Sequence, residues 1–297
     1  MLPQKILITG ASGFVGSALC NTLEAANYNV GRSSQRLSEA DWSQSLVGVE
    51  TVVHLAARVH MMHDNAADPL AEFRAINLAG TINLARQAAG AGVRRFVFLS
   101  SIGVNGAATE LNKPYTSDDT PAPHSYYAVS KHEAEIGLRE IAIETGMQVV
   151  IIRPPLIYGA NAPGNFGSLL RMVRRGVPLP LGLATHNRRS FVSLNNLVDF
   201  IITCIHHPNA ANQTFLVSDG CDLSTTELLR RMGNALGKPA RLIPVPVAVL
   251  EAGAALFGRR DVAQRLCGSL QVDITKAKEL LGWMPPFGVD EGLRLTI

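Results

Sequence analysis

Short runs of branched apolar residues alternate along the chain with longer segments whose apolar positions recur every three or four. KILIT (5–9), TVVHLA (51–56), RFVFLS (95–100) and QVVIIR (148–153) show no polar alternation. That pattern predicts strands covered on both faces, as in a parallel sheet. Between them FVGSALCNTLEAA (14–26), LAEFRAINLAGTINLARQAAGAG (70–92) and YYAVSKHEAEIGLREIAIETG (126–146) predict helices. A further strand ends at YNVGRSSQR (28–36). Strand–helix alternation of this kind predicts an α/β fold, a doubly wound parallel sheet with right-handed crossovers.

After Arg153 the texture changes to a Gly- and Pro-rich stretch looping around one short helix. SFVSLNNLVDFIITCIHH and QTFLVSDG then predict a strand–helix unit and a strand returning to the sheet, and helices follow around 224–236, 246–258 and 274–282. The expected division is a nucleotide-binding lobe of residues 1–155 plus 190–220, and a smaller, mostly helical substrate lobe of 156–189 plus 221–297.

Composition narrows the classes. Of 297 residues 47% are hydrophobic and 17% charged, the net charge is only +3, and no block of like charge occurs. A compact protein with a sizeable core is expected, with no nucleic-acid partner and no membrane insertion. The apolar run LIPVPVAVLEAGAALFG (242–258) is interrupted by Pro244, Pro246 and Glu251, so it predicts an amphipathic or buried helix. Four scattered cysteines without a CxxC pair predict buried free thiols in a reducing cytoplasm. MLPQKILITG runs straight into a strand, so no leader is expected. His60 and His63 lack the further ligands a metal site needs, and are expected to line a pocket instead.

ILITGASGFVGSAL places Gly10, Gly13 and Gly16 between the first strand and the first helix. Glycines there permit a tight turn and close approach to a pyrophosphate, which the helix N-terminus attracts through its free N–H groups. With this TGxxGxxG spacing the sequence resembles the extended short-chain dehydrogenases/reductases, a superfamily of nucleotide-sugar epimerases, dehydratases and reductases. The resemblance implies a Rossmann-type domain holding NAD or NADP, with Ser12, Phe14 and Val15 completing the cradle. Leu55, Ala56 and Ala57 match the loop beside the pyrophosphate, Asn77 a residue that steadies the site, Ser100 a neighbour of the cofactor, and Pro154 the approach to the nicotinamide. At the end of the second strand no acid stands ready for the ribose hydroxyls; Arg32, Ser33 and Arg36 suit a 2′-phosphate, so NADP(H) is favoured over NAD(H), with Asp41 expected near the adenine.

Tyr127 and Lys131 are four apart and share a helix face, whereas Tyr126 and Lys131 are five apart and diverge. A lysine beside a phenol lowers its pKa and prepares it for proton transfer. YxxxK is also the family's catalytic signature, and Ser101 in FVFLSSIGVNG matches its third member. Tyr127 is therefore the expected proton donor and acceptor, with Tyr126 packing or lining. Ile102 and Gly103 stand where the family's 4,6-dehydratases carry an acidic pair, and no cysteine lies between Cys20 and Cys204 to serve a fucose-type epimerase-reductase. Asn165, Leu181 in PLPLG, Arg189 and Arg265 match family positions around a nucleoside diphosphate. The resemblance thus implies a UDP-sugar enzyme, most simply an NADPH-dependent 4-ketoreductase of 6-deoxy-N-acetylhexosamines in surface-polysaccharide (O-antigen) synthesis. The alternatives are a UDP-hexose or UDP-N-acetylhexosamine 4-epimerase with retained NAD, and a non-catalytic dinucleotide sensor. A homodimer is expected, as in many relatives.

Overall fold

A computed structural model describes residues 4–33, 35, 37, 40–59, 68–258 and 260–297. Six parallel strands form the main sheet: β1 (Lys5–Thr9), β2 (Asn29–Ser33), β3 (Thr51–His54), β4 (Arg95–Leu99), β5 (Gln148–Arg153) and, at the edge, the last described strand, β8 (Thr214–Leu216). β6 (Leu156–Tyr158) and β7 (Phe191–Ser193) pair with each other in a separate two-stranded sheet, so the strand at 191–193 does not return to the main sheet as expected. The order β2-β1-β3-β4-β5-β8 reverses direction between β1 and β3. In open α/β sheets a ligand binds in the crevice at the carboxyl ends of the strands at such a reversal.

Strand periodicity allocates the helices. Ile6 and Ile8 face one side with α1 (Phe14–Ala25) and α6 (Leu194–His206), through Leu19, Leu23, Leu197 and Ile201. Leu7 faces the other with α3 (Gly80–Gly90) and α4 (Tyr126–Thr145), through Leu84, Ala88, Ala134 and Leu138. The helix expected over 70–92 is α2 (Pro69–Phe73), a π-helical turn at Arg74–Ala79, then α3. A third apolar cluster gathers β6 and β7 with α5 (Gly164–Arg175), α7 (Thr225–Ala235) and α11 (Val289–Arg294). α8 (Val247–Leu256), α9 (Arg260–Cys267) and α10 (Thr275–Leu281) complete the elements. Of the cysteines, Cys20 and Cys204 are buried as expected; Cys221 is exposed and Cys267 only half-buried, and all four are free thiols.

Candidate active site

Gly10 turns the chain out of β1 in a left-handed conformation, at φ 69°, and a Cβ there would lie 2.7 Å from the Ala56 nitrogen. At Gly16 a Cβ would stand 2.1 Å from the Gly10 carbonyl oxygen, so only glycine lets α1 begin this close to the strand. Gly13 caps α1 without any side chain, and the first N–H groups of the helix are left for a ligand. A second loop closes over the cradle at Leu55–Ala57.

A one-way chain of hydrogen bonds holds that loop. The Ala56 N–H donates to Thr9 Oγ1 (3.4 Å), and Thr9 Oγ1 lies 2.6 Å from His54 Nδ1. His54 Nε2 lies 2.9 Å from Thr81 Oγ1, whose proton goes to the Asn77 carbonyl at 2.7 Å. Since the Thr81 hydroxyl has spent its proton, His54 must donate through Nε2 and accept from Thr9 at Nδ1. Burial first, and the nearby Lys131 charge second, depress the imidazole to about 3, which keeps that tautomer neutral. Asn77, in the π-helical turn, accepts from the Arg58 N–H at 2.8 Å and donates to the Arg58 carbonyl and to Ser130 Oγ, each at 3.0 Å. It clamps the loop to α4.

β4 and β5 place the remaining groups. The Ser100 N–H donates to Ile152 O (2.7 Å) and the Ile102 N–H to Pro154 O (3.0 Å), fixing Ser101 between them. Ser101 Oγ accepts from the Gly103 N–H at 3.1 Å. On α4, Ser125 caps the helix through the Ala128 N–H. The Tyr127 ring meets Phe73 edge-on at 6.3 Å, and Lys131 Nζ lies 4.0 Å above the Phe98 ring. Burial pushes the Tyr127 phenol up to about 12. Burial also pushes the Lys131 amine down to about 7, against the opposing pull of Glu135. Burial is the one cause acting on the Tyr127 phenol, and it raises the group rather than lowering it as the Lys131 spacing led one to expect.

One cleft of about 600 Å3 is lined by Gly10, Ser12, Gly13, Phe14, Val15, Gly16, Leu55, Ala56, Ala57, Ser100, Ser101, Tyr127, Lys131 and Pro154. The phosphate cradle and the Ser–Tyr–Lys set thus share a single space, which fits a dinucleotide. Tyr126 is 54% exposed and not among the lining residues, contrary to the expectation of packing or lining. The Ser100 hydroxyl is turned away, donating to Glu135 Oε1 at 2.5 Å. Arg32 is exposed and its guanidinium grips Glu24 of α1 with both arms, at 2.9 and 2.7 Å. Ser33 is buried, its hydroxyl accepting from the Gln35 N–H. Asp41 is exposed and accepts from the Ser43 N–H. None of these three lines the cleft. Arg36, His60 and His63 lie outside the described residues.

A second cleft, of about 100 Å3, brings together Asn165, Arg189 and Arg265 with Leu156, Phe166 and Thr225. Arg189 Nη1 donates to Gly268 O at 3.1 Å; burial first, and the Arg265 charge second, lower its pKa. Two guanidiniums opposing each other across one cleft favour an anion between them. Leu181 does not line it: the side chain is buried and its carbonyl accepts from Thr226 Oγ1 at 2.7 Å. The clefts share a wall, since Pro154, Pro155, Ile157 and Pro163 face the first while Leu156, Asn165 and Phe166 face the second.

Sequence reasoning missed the support beneath the site. Glu135 is fully buried and receives Arg153 through Nε (2.9 Å) and Nη2 (2.5 Å), while Arg153 Nη1 reaches Asn105 Oδ1 at 2.9 Å. Its spacing, four residues after Lys131, was the available signal.

A reversal-point cleft with a glycine cradle and a Ser–Tyr–Lys set defines a dinucleotide-dependent enzyme of the short-chain dehydrogenase/reductase type. Residues 6–218 match the NAD dependent epimerase/dehydratase family, and the chain belongs to that family. It is 46% identical to a UDP-glucose 4-epimerase of Vibrio cholerae, over 99% of this chain and 95% of that protein. It is 28% identical to the N-acetyl-alpha-D-glucosaminyl-diphospho-ditrans,octacis-undecaprenol 4-epimerase of Escherichia coli O157:H7, over 99% of this chain and 94% of that one. Among solved structures, UDP-N-acetylglucosamine 4-epimerase from Bacillus cereus superposes with a TM-score of 0.82 at 21% identity, covering 98% of this chain and 97% of that chain. The enzyme is NAD(P)-dependent.

Proposed function

We propose that the protein is a UDP-hexose or UDP-N-acetylhexosamine 4-epimerase that retains its nicotinamide dinucleotide through turnover. The observation carrying this reading is the 46% identity to a UDP-glucose 4-epimerase along almost the whole of both chains. The state of Arg32 supports it: a guanidinium occupied by Glu24 is a poor receptor for the 2′-phosphate of NADP. The NADPH-dependent 4-ketoreductase keeps one supporting feature, the absence of an acid at the end of β2.

A dinucleotide laid along the cradle supplies a hydride acceptor and donor and, when oxidised, a positive charge. Tyr127 takes the proton from the sugar O4 as the C4–H bond breaks, and returns it when hydride re-enters on the other face of the same carbon. Ser101 holds that oxygen. A phenol near 12 stays protonated at neutral pH and has no room for the sugar's proton, so Tyr127 works only once positive charge beside it favours the phenolate. Asn165, Arg189 and Arg265 hold the diphosphate in the second cleft.

The test is incubation of purified protein with UDP-galactose, and separately with UDP-N-acetylglucosamine, without added reductant. Epimer formation, with NAD released on denaturation, is expected. A protein that carries no dinucleotide, epimerises neither sugar and oxidises NADPH with a UDP-4-keto-6-deoxyhexosamine is a ketoreductase instead.

A further inference from the structure

The sequence of α8, VAVLEAGAAL, is apolar all round, yet none of its residues is buried. Such a helix belongs in a core or against an apolar phase. One side packs, with Val247 and Leu250 against the third apolar cluster. The other presents Val249 (58% exposed), Ala252 and Leu256 (86%) on one stripe, continued by Phe257 (83%). Ile243 and Leu183, also exposed, extend the patch; the adjacent Gly182 N–H donates to the Ile243 carbonyl at 2.9 Å. The one charge of α8, Glu251, acts on the Cys267 thiol of α9, which burial first and this carboxylate second push up.

A basic edge runs beside the patch. Arg174 and Arg175, exposed at the end of α5, meet exposed Lys238, whose Nζ donates to the Arg174 carbonyl at 3.2 Å. Exposed Arg241 follows, two residues before Ile243, and its carbonyl accepts from the Leu179 N–H. The net charge of only +3 conceals this local concentration.

We propose that α8 and this edge form a docking face for an anionic phospholipid bilayer, with the helix lying in the headgroup plane. An exposed apolar stripe bordered by cations is the signature of interfacial binding. Among the described residues no helix is long and apolar enough to cross a membrane, which suits a face that lies on it. A second copy fits less well, because a two-fold contact would set like cations against one another. α9, which α8 packs against, supplies Arg265 and Leu266 to the second cleft, so docking brings that cleft to the bilayer surface. The proposal does not depend on the reaction assigned above.

Co-sedimentation with phosphatidylglycerol/phosphatidylethanolamine vesicles, against phosphatidylcholine vesicles, tests it. The native protein is expected to pellet with the anionic vesicles. The pairs Leu256→Gln with Phe257→Gln, and Arg175→Glu with Arg241→Glu, are each expected to weaken binding at least tenfold while keeping turnover of soluble UDP-sugar. No partitioning of the native protein, or partitioning unchanged in both pairs, overturns the proposal. So does sedimentation velocity in which the Leu256→Gln, Phe257→Gln pair turns a native dimer into a monomer, since the stripe would then be a contact between copies.

Discussion

Lys131 has the most to lose from burial. The unfolded chain keeps this amine protonated up to its ordinary 10.5, whereas the native protein releases the proton near 7. Between those values the unfolded state binds more protons, so this group adds stability as pH rises through the window and is a net cost below it. Lys131→Met removes the charge and keeps the bulk. It is expected to raise the melting temperature at pH 7 by a few degrees, at about 2–4 °C per kcal/mol, while abolishing turnover. Thermal melts at pH 7 and pH 9.5 check this: the gap between native and variant should narrow at the higher pH. A variant that melts lower at pH 7 would show that the Phe98 contact and Glu135 stabilise the ammonium more than burial disfavours it. The spacing of Tyr127 and Lys131 was legible in the sequence because i and i+4 share a helix face. Their protonation was not, since it depends on desolvation by residues remote in sequence, such as Phe73 and Phe98.

At the scale of elements, the chain from Ala56 through Thr9, His54 and Thr81 to Asn77 joins β1, β3, α3 and the loop over the cradle. His54 titrates near 3 in the native protein against 6.5 ordinarily, so the unfolded state binds more protons between those values and stability falls as pH drops through them. His54→Gln, which can still donate to Thr81 and accept from Thr9, should flatten that acid loss. Urea midpoints at pH 7 and pH 4.5 measure it; an unchanged difference would mean His54 is not the group responsible. Gly16→Ala tests the cradle itself. With a Cβ 2.1 Å from a backbone oxygen, α1 must shift, and dinucleotide affinity by fluorescence titration is expected to fall at least tenfold. The main strands and the glycine turn were readable because buried parallel strands are continuous apolar runs and the cradle is local. The strand at β7 was readable but not its sheet, because its pairing with β6 is made by segments more than thirty residues apart. The π-helical turn that delivers Asn77 likewise leaves the apolar spacing of 70–92 intact.

For the whole molecule, residues 154–166 form a wall common to two clefts: Pro154, Pro155, Ile157 and Pro163 line the one with Ser101 and Tyr127, and Leu156, Asn165 and Phe166 line the one with Arg189 and Arg265. Through the family resemblance the sequence named three of the four polar residues of the second cleft, Asn165, Arg189 and Arg265, and not Thr225. It could not show that they converge, because Arg265 arrives on α9, a helix the pattern did not predict, and Leu181 was drawn into the third core cluster instead. If the cleft holds the diphosphate in ground state and transition state alike, its arginines contribute uniform binding. Removing one should then raise KM and leave kcat nearly unchanged. Arg265→Ala probes this while leaving in place Arg189, which donates to Gly268 and itself bridges to Leu223 and Leu270. The expected loss is about tenfold in KM for the UDP-sugar, the scale of one charge-assisted hydrogen bond of about 1.5 kcal/mol. Initial rates across a substrate range separate the two constants. A fall in kcat at constant KM would instead place Arg265 at the reacting sugar, reached through His124, whose pKa burial first and Arg265 second depress and whose ring lies beside Gly103.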